Sequence, residues 1–182
     1  MYFLVRLILA FVPLKRWRKR LRQPVQNLVF GLTVRGKARS IGRDLHLHGP
    51  CTVTRATSIG NGVSMGGVVV FGAGRCVIAD HVHFGPEVLV LTQNHNYESD
   101  ALPYGNGYQL KDVEIGTAAW IGARVTILPG AHIGEGAIIQ AGAVVHGEIP
   151  PCAIAGGNPA KVFAWRDKAH FEDLKGKERF HR

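Results

Sequence analysis

A chain of 182 residues has the length of one domain with room for a sizeable core. Its 23 glycines follow no triplet period, which excludes a collagen-like rod and suits a fold with a turn at every corner. The formal charge of +9 is unevenly placed: residues 1–43 hold eleven Lys or Arg and no acid, while Asp44 onward carries eleven bases against thirteen acids.

Residues 1–14 are almost all apolar, interrupted by Arg6 and Pro13. That run is well short of the ~20 residues a bilayer span needs. It does not read as a secretory signal either, because the positive cluster follows the apolar run and no small-residue cleavage site appears. The cluster Lys15-Arg16-Trp17-Arg18-Lys19-Arg20-Leu21-Arg22 comes next. Apolar residues beside a polybasic, Trp-bearing run have the composition of an interfacial anchor on anionic lipid. The same segment, residues 1–40, also reads as a cap on the open end of the fold that follows, and the two uses are compatible.

From Ile115 an aliphatic residue recurs every six positions, at Ile121, Ile127, Ile133, Ile139 and Val145. Small or branched residues recur four positions after each: Ala119, Val125, Ala131, Ala137, Ala143 and Ile149. Six residues are too few for a helix pair, and the pattern is not the simple alternation of a half-buried strand. It suits short parallel strands winding a three-sided prism, three hexads to a turn, with the aliphatics stacked inside. Backwards the beat is rougher. Ile41, Leu47, Val53, Ile59, Met65 and Phe71 share one phase and are expected inside; Ile78, Phe84 and Val90 share a phase one residue later, implying an extra residue near 75–77.

Between Val90 and Ile115 the beat fails. Residues 94–112, polar and holding Pro103, Gly105 and Gly107, read as a loop expelled from the prism. A long loop in a tight solenoid is a functional candidate. The solenoid spans residues 41–161, about five coils, and residues 162–182 form a tail ending in a short helix from about Asp167. Cys51, Cys76 and Cys152 form neither a CxxC knuckle nor an even disulfide set, so free buried thiols in a reducing compartment are expected.

Three runs carry a family resemblance: Trp120-Ile121-Gly122-Ala123-Arg124-Val125-Thr126-Ile127-Leu128-Pro129-Gly130, Ile139-Gln140-Ala141-Gly142-Ala143-Val144-Val145, and Ala155-Gly156-Gly157-Asn158-Pro159-Ala160-Lys161. In order and spacing they resemble the hexapeptide-repeat acyltransferases, among them the galactoside, maltose and nodulation-type O-acetyltransferases and their polysaccharide-modifying relatives. The resemblance covers roughly residues 41–166. It implies an all-β fold, a left-handed parallel β-helix, and a homotrimer with active sites between neighbouring subunits.

It also implies acetyl-CoA as co-substrate, direct transfer without a covalent enzyme intermediate, and no metal. His95, in Thr92-Gln93-Asn94-His95-Asn96-Tyr97, matches the family's general base, which takes the proton of the acceptor hydroxyl; an imidazole titrates in the range that task needs. Glu98 or Asp100 could orient it. Asn94, Tyr97 and Glu98 are the candidate acceptor contacts. Ala123, Ala141 and Gly142 are the candidate pantetheine contacts, Ala123 supplying an amide to the thioester oxygen. Trp120 matches an aromatic flanking the cleft, while Lys161 and Arg166 match the phosphate-binding end. The sequence departs from the family at His146-Gly147, where many relatives have Thr-Lys, and residues 65–74 lack the acceptor-binding Asn of the sugar acetyltransferases.

His46-x-His48 and His81-x-His83 have a spacing compatible with metal binding, and the γ-class carbonic anhydrases share this fold. The Asn158-Pro159-Ala160-Lys161 tail and the Trp120 coil match acyltransferases instead, so these histidines are read as surface residues. The expectation is therefore a transferase that O-acetylates a carbohydrate, free or lipid-linked, in polysaccharide or lipopolysaccharide assembly. It would be cytoplasmic, with peripheral contact to the inner membrane face and no nucleic-acid partner. The competing readings are N-acetylation of an amino sugar and an anionic-surface binding module.

Overall fold

The computed structural model describes residues 1–10 and 15–181, with side chains for all of these except 15–20. Two helices, α1 (Tyr2–Ala10) and α2 (Lys15–Arg35), precede a stack of short parallel strands. The first coil contains β1 (Ser40–Ile41) and β2 (His46–Leu47), and its third side holds Thr52, bridged to Val69. The second contains β3 (Thr57–Ile59), β4 (Ser64–Gly66) and β5 (Val69–Phe71), and the third β6 (Cys76–Ile78), β7 (His83–Pro86) and β8 (Leu89–Leu91). A hairpin of β9 (Gln93–Asn96) and β10 (Gly105–Leu110) then leaves the stack. The fourth coil is β11 (Val113–Ile115), β12 (Trp120–Ile121) and β13 (Thr126–Ile127), and the fifth β14 (His132–Ile133), β15 (Ile138–Ile139) and β16 (Val144–Val145). A sixth begins with β17 (Glu148–Ile149) and β18 (Ala153–Gly156), from which β19 (Lys161–Trp165) turns back antiparallel. Helix α3 (Lys168–Gly176) follows.

The three strands of each coil line three faces. One face stacks β1, β3, β6, β11, β14 and β17; the second β2, β4, β7, β12, β15 and β18; the third β5, β8, β13 and β16. Registers such as Trp120 opposite Ile138 and Thr126 opposite Val144 fix one turn at three hexads. The hexad aliphatics point inward and form the core, with Ile121, Ile127 and Val145 fully buried. A glycine at the corner lets adjacent coils touch. A Cβ on Gly122 would stand 2.6 Å from the Ala141 amide nitrogen, closer than real side chains approach backbone.

The phase before Arg75 differs from the expected one. Phe71 points outward at 57% exposed, and Val70, at 2%, takes the inward place opposite Val90. The side between Met65 and Val70 is thus one residue short, and the corner between Val70 and Ile78 is two longer than a hexad. The long corner contains Gly72, whose φ of +114° few side chains tolerate. This register predicts that Val70→Ala destabilises by about 2 kcal/mol through lost burial and a cavity, while Phe71→Ala stays within about 0.5 kcal/mol. Chemical denaturation of both variants decides it, because an inward Phe71 would reverse the order.

Residues 94–112, expected as a loop, leave the stack mainly as an antiparallel hairpin, and the tail beyond residue 161 carries a strand, β19, ahead of its helix. The helix itself starts where expected: Asp167 is the N-cap of α3 and accepts from the His170 amide at 3.0 Å. From there the chain folds back along the second face, with Phe171 over Gly136 and Phe180 stacked on His81 at 3.8 Å.

At the other end α2 covers the first coil. Phe30 and Val34 are fully buried and extend the core. Asn27 Oδ1 accepts from the Leu47 amide at 2.7 Å, Gln23 Nε2 donates to the Leu47 carbonyl at 3.2 Å, and Thr33 Oγ1 donates to the Cys51 carbonyl at 2.9 Å. These side chains satisfy backbone groups that an open solenoid end would leave bare. The three cysteines are free and buried, and burial pushes the Cys76 thiol up to about 12.

Candidate functional site

The hairpin is rooted at the corner between the third and first faces. Thr92 is buried there, and its carbonyl accepts from the Lys111 amide at 3.1 Å, closing the base. The Asp112 carboxylate accepts from both the backbone and the side chain of Arg75, at 2.9 and 3.1 Å, and Arg75 reaches Glu114 at 3.1 Å as well. All three charged groups are about half exposed, so the pairs are weak as stability terms; their geometry fixes where the returning strand rejoins the coil.

His95 lies in β9, opposite Tyr108 in β10. Its ring stacks on Tyr104 with centroids 3.8 Å apart and planes 16° from parallel, and Tyr108 tilts against it at 5.1 Å. Asn94 Oδ1 accepts from the His95 amide at 2.9 Å. Among the described residues no hydrogen bond joins Glu98 or Asp100 to the imidazole, so aromatic stacking rather than a carboxylate sets its plane. Asn94 and Tyr97 line a cleft of about 440 Å³ with Gln109, Lys111, Pro129 and His146. His146, where the resemblance led to an expected Thr-Lys pair, thus shares a cleft with the candidate acceptor contacts Asn94 and Tyr97.

Ala123 and Ala141 occupy a different edge, the corner between the second and third faces. They stand one coil apart, with the Gly142 amide donating to the Ala123 carbonyl at 2.8 Å. The turn before β19 continues this edge. Val144 donates to Gly157 O at 2.9 Å and Ala160 donates to Val144 O at 2.8 Å, which puts Lys161 at its far end. Among the described residues the amides of Ala123 and Ala141 have no hydrogen-bond acceptor, and a Cβ on Gly142 would meet nothing within 4 Å. Ala141 and Gly142 are exposed and Ala123 is partly exposed, so this edge is reachable from solvent.

Trp120 projects from β12 on the second face, 51% exposed and not part of the core. It shares a cavity of about 400 Å³ with Arg166, His83, Phe171 and Phe180 beneath the folded-back tail. The Arg166 guanidinium sits 5.8 Å from the Phe171 ring centre, and its buried Nε finds no acceptor among the described residues. Burial first, then His181 and His48, holds His83 below the ordinary imidazole value. No group of three His, Cys, Asp or Glu side chains among the described residues is placed to hold a metal ion.

One chain thus gathers Ala123, Ala141, Gly142 and Lys161 on one edge, with Trp120 and Arg166 on the adjoining face, and sets His95, Asn94 and Tyr97 on another edge. The width of the third face lies between them. Sequence reasoning missed Tyr104 and Tyr108; the only signal for them was a pair of tyrosines in a segment read as loop.

Residues 112–147 match the model of the bacterial transferase hexapeptide family (six repeats). The galactoside O-acetyltransferase of Lactococcus lactis is 39% identical over 85 residues, 47% of this chain and 41% of that protein. The chain spans about half the length, or less, of the curated relatives it matches. Among solved structures, the hexapeptide-repeat acetyltransferase VCA0836 of Vibrio cholerae with acetyl-CoA superposes at a TM-score of 0.62, with 24% identity, covering 88% of this chain and 82% of that one. A galactoside acetyltransferase in complex with coenzyme A superposes at 0.63, with 21% identity over 87% and 75% of the two chains. The fold is the left-handed parallel β-helix of these acetyltransferases.

Proposed function

We propose that this chain transfers acetyl from acetyl-CoA to a hydroxyl of a carbohydrate, working as a homotrimer whose sites lie between subunits. The observation that carries the reading is the split of the candidate residues. His95 stands on one edge of the prism and the open ladder of amides on another, so a neighbouring copy is needed to bring them together. The galactoside O-acetyltransferase relative and the coenzyme A in solved proteins of this fold support the reaction class.

In the proposed reaction the His95 imidazole takes the acceptor hydroxyl proton as the oxygen attacks the thioester carbon. The tetrahedral oxyanion is met by the Ala123 amide of the adjoining subunit, which has no intramolecular acceptor. Collapse expels the thiolate of coenzyme A, which takes up the proton held by His95. Lys161 and Arg166 serve the anionic end of the donor, and Asn94, Tyr97 and Glu98 the acceptor. Tyr104 holds the imidazole plane, so Tyr104→Ala lowers kcat/KM by about threefold to tenfold, the worth of one aromatic stack, while Tyr104→Phe keeps the rate. Steady-state kinetics of the two variants check this. The reading includes assembly of a polysaccharide or lipopolysaccharide on the cytoplasmic side as the setting.

The test is transfer of labelled acetyl from acetyl-CoA to a panel of free sugars, nucleotide sugars and lipid-linked oligosaccharides. The expected product loses its label in mild alkali, as an ester does. An alkali-stable label would make the enzyme an N-acetyltransferase, and no transfer to any member would overturn the reading.

A further inference from the structure

The helical cap is apolar on both sides. One side of α2 plugs the first coil with Phe30 and Val34. The opposite side exposes Leu21, Leu28 at 67% and Leu32 at 70%, whose spacing of seven and four residues puts them on one stripe. In α1, Val5 turns inward and Leu9 packs on the core, whereas Phe3 at 76%, Leu4, Leu7 and Ile8 are exposed. A cap needed only to close a solenoid would be polar outside. These residues lie in a stretch with eleven Lys or Arg and no Asp or Glu.

We propose that the outer face of this cap docks on the surface of an anionic lipid bilayer, independently of the catalytic reading. The charge decides the occupant. A second copy laid on this face in a two-fold contact would bring an equally basic, acid-free segment against the first, so the apolar gain would be opposed by like charge. Nucleic acid would satisfy the charge but has no apolar layer to receive Phe3, Leu4, Leu7 and Ile8. An anionic membrane surface offers both, headgroup charge above and acyl chains below. Among the described residues no helix is long and apolar enough to cross a membrane, so the contact lies in the interface.

The geometry sets a working height. Because α2 lies over the first coil, docking stands the solenoid on its end. Coils rise by about 4.8 Å, so the third coil, from which the His95 hairpin leaves, is about 10 Å above the first. The helix layer adds about 10 Å more. The root of the His95 hairpin then stands about 20 Å above the membrane surface.

The test is flotation of the full chain with vesicles of phosphatidylcholine alone or with about a third phosphatidylglycerol. Two double variants, Phe3→Ser with Leu7→Ser and Leu28→Ser with Leu32→Ser, are run alongside. All four side chains are exposed, so circular dichroism and light scattering should show unchanged fold and size. Binding should be at least about tenfold stronger to the anionic vesicles, fall between about 0.1 M and 1 M salt, and drop at least about tenfold in each double variant. Equal binding to neutral vesicles, or double variants that float like the parent, would overturn the proposal. A double variant that loses its oligomeric state would assign the face to a second copy. DNA binding that weakens in the same variants would assign it to nucleic acid.

Discussion

Replacing His95 with alanine should lower kcat/KM for acetyl transfer by about 10²–10⁴-fold, the range a positioned general base supplies. The fold should not change. His95 sits in a hairpin outside the coil stack, and its ring contacts are Tyr104 and Tyr108, which are themselves exposed. Loss of activity can therefore be read as loss of chemistry, with circular dichroism and oligomer size as controls. The loss should fall on kcat more than on KM, because the proton moves only as the hydroxyl attacks. A variant that folds, assembles and keeps the full rate would remove His95 from the mechanism.

The largest stability effect should come from inside the prism. Ile127→Ala should destabilise by about 2–5 kcal/mol, a large share of the roughly 5–15 kcal/mol that holds a domain of this kind together. Ile127 is fully buried, between Val90 one coil before and Val145 one coil after. In a solenoid each coil contacts only its neighbours, so a cavity at one level weakens two coil interfaces. The walls cannot collapse to fill it, because glycine corners such as Gly122 already rest on the backbone of the next coil. Denaturant midpoints for the variant and the parent give the value directly; a change below about 0.5 kcal/mol would mean that Ile127 is not in a packed core.

The regular coils were legible because burial imposes a period that side chains must obey. Ile115 to Val145 each had to be aliphatic, and all are buried. The reading failed where several phases satisfied the same composition. In Val68-Val69-Val70-Phe71 four apolar residues run together, so hydrophobicity could not say which faces in. Backbone shape decided it, through Gly67 and Gly72 in left-handed conformations on either side. The hairpin escaped for the opposite reason. Gln93–Asn96 and Gly105–Leu110 are polar or exposed along both faces, so no alternation marks them as strands.

The same limit shaped the candidate site. Residues inside recurring motifs, such as Ala123 and Ala141, could be placed one above the other by counting, and they are so stacked. Tyr104 lies nine residues from His95 and meets it only through the hairpin's register, with its irregularity between Gly105 and Tyr108. Nor could composition show that α2 exposes leucines on the side away from the core, since the helix carries apolar residues on two faces.

The central claim is that His95 of one subunit works with the amide ladder of another, and co-expression of two inactive chains tests it most directly. One chain carries His95→Ala. The other carries Ala141→Trp, an exposed position where a large ring would block the ladder without touching the core. Each alone should be inactive. Mixed at random in trimers, a quarter of the sites draw an intact histidine from one chain and an intact ladder from the other, so about a quarter of the parent's activity should return. No recovery in trimers shown to contain both chains would place the base and the ladder in the same subunit and contradict the account.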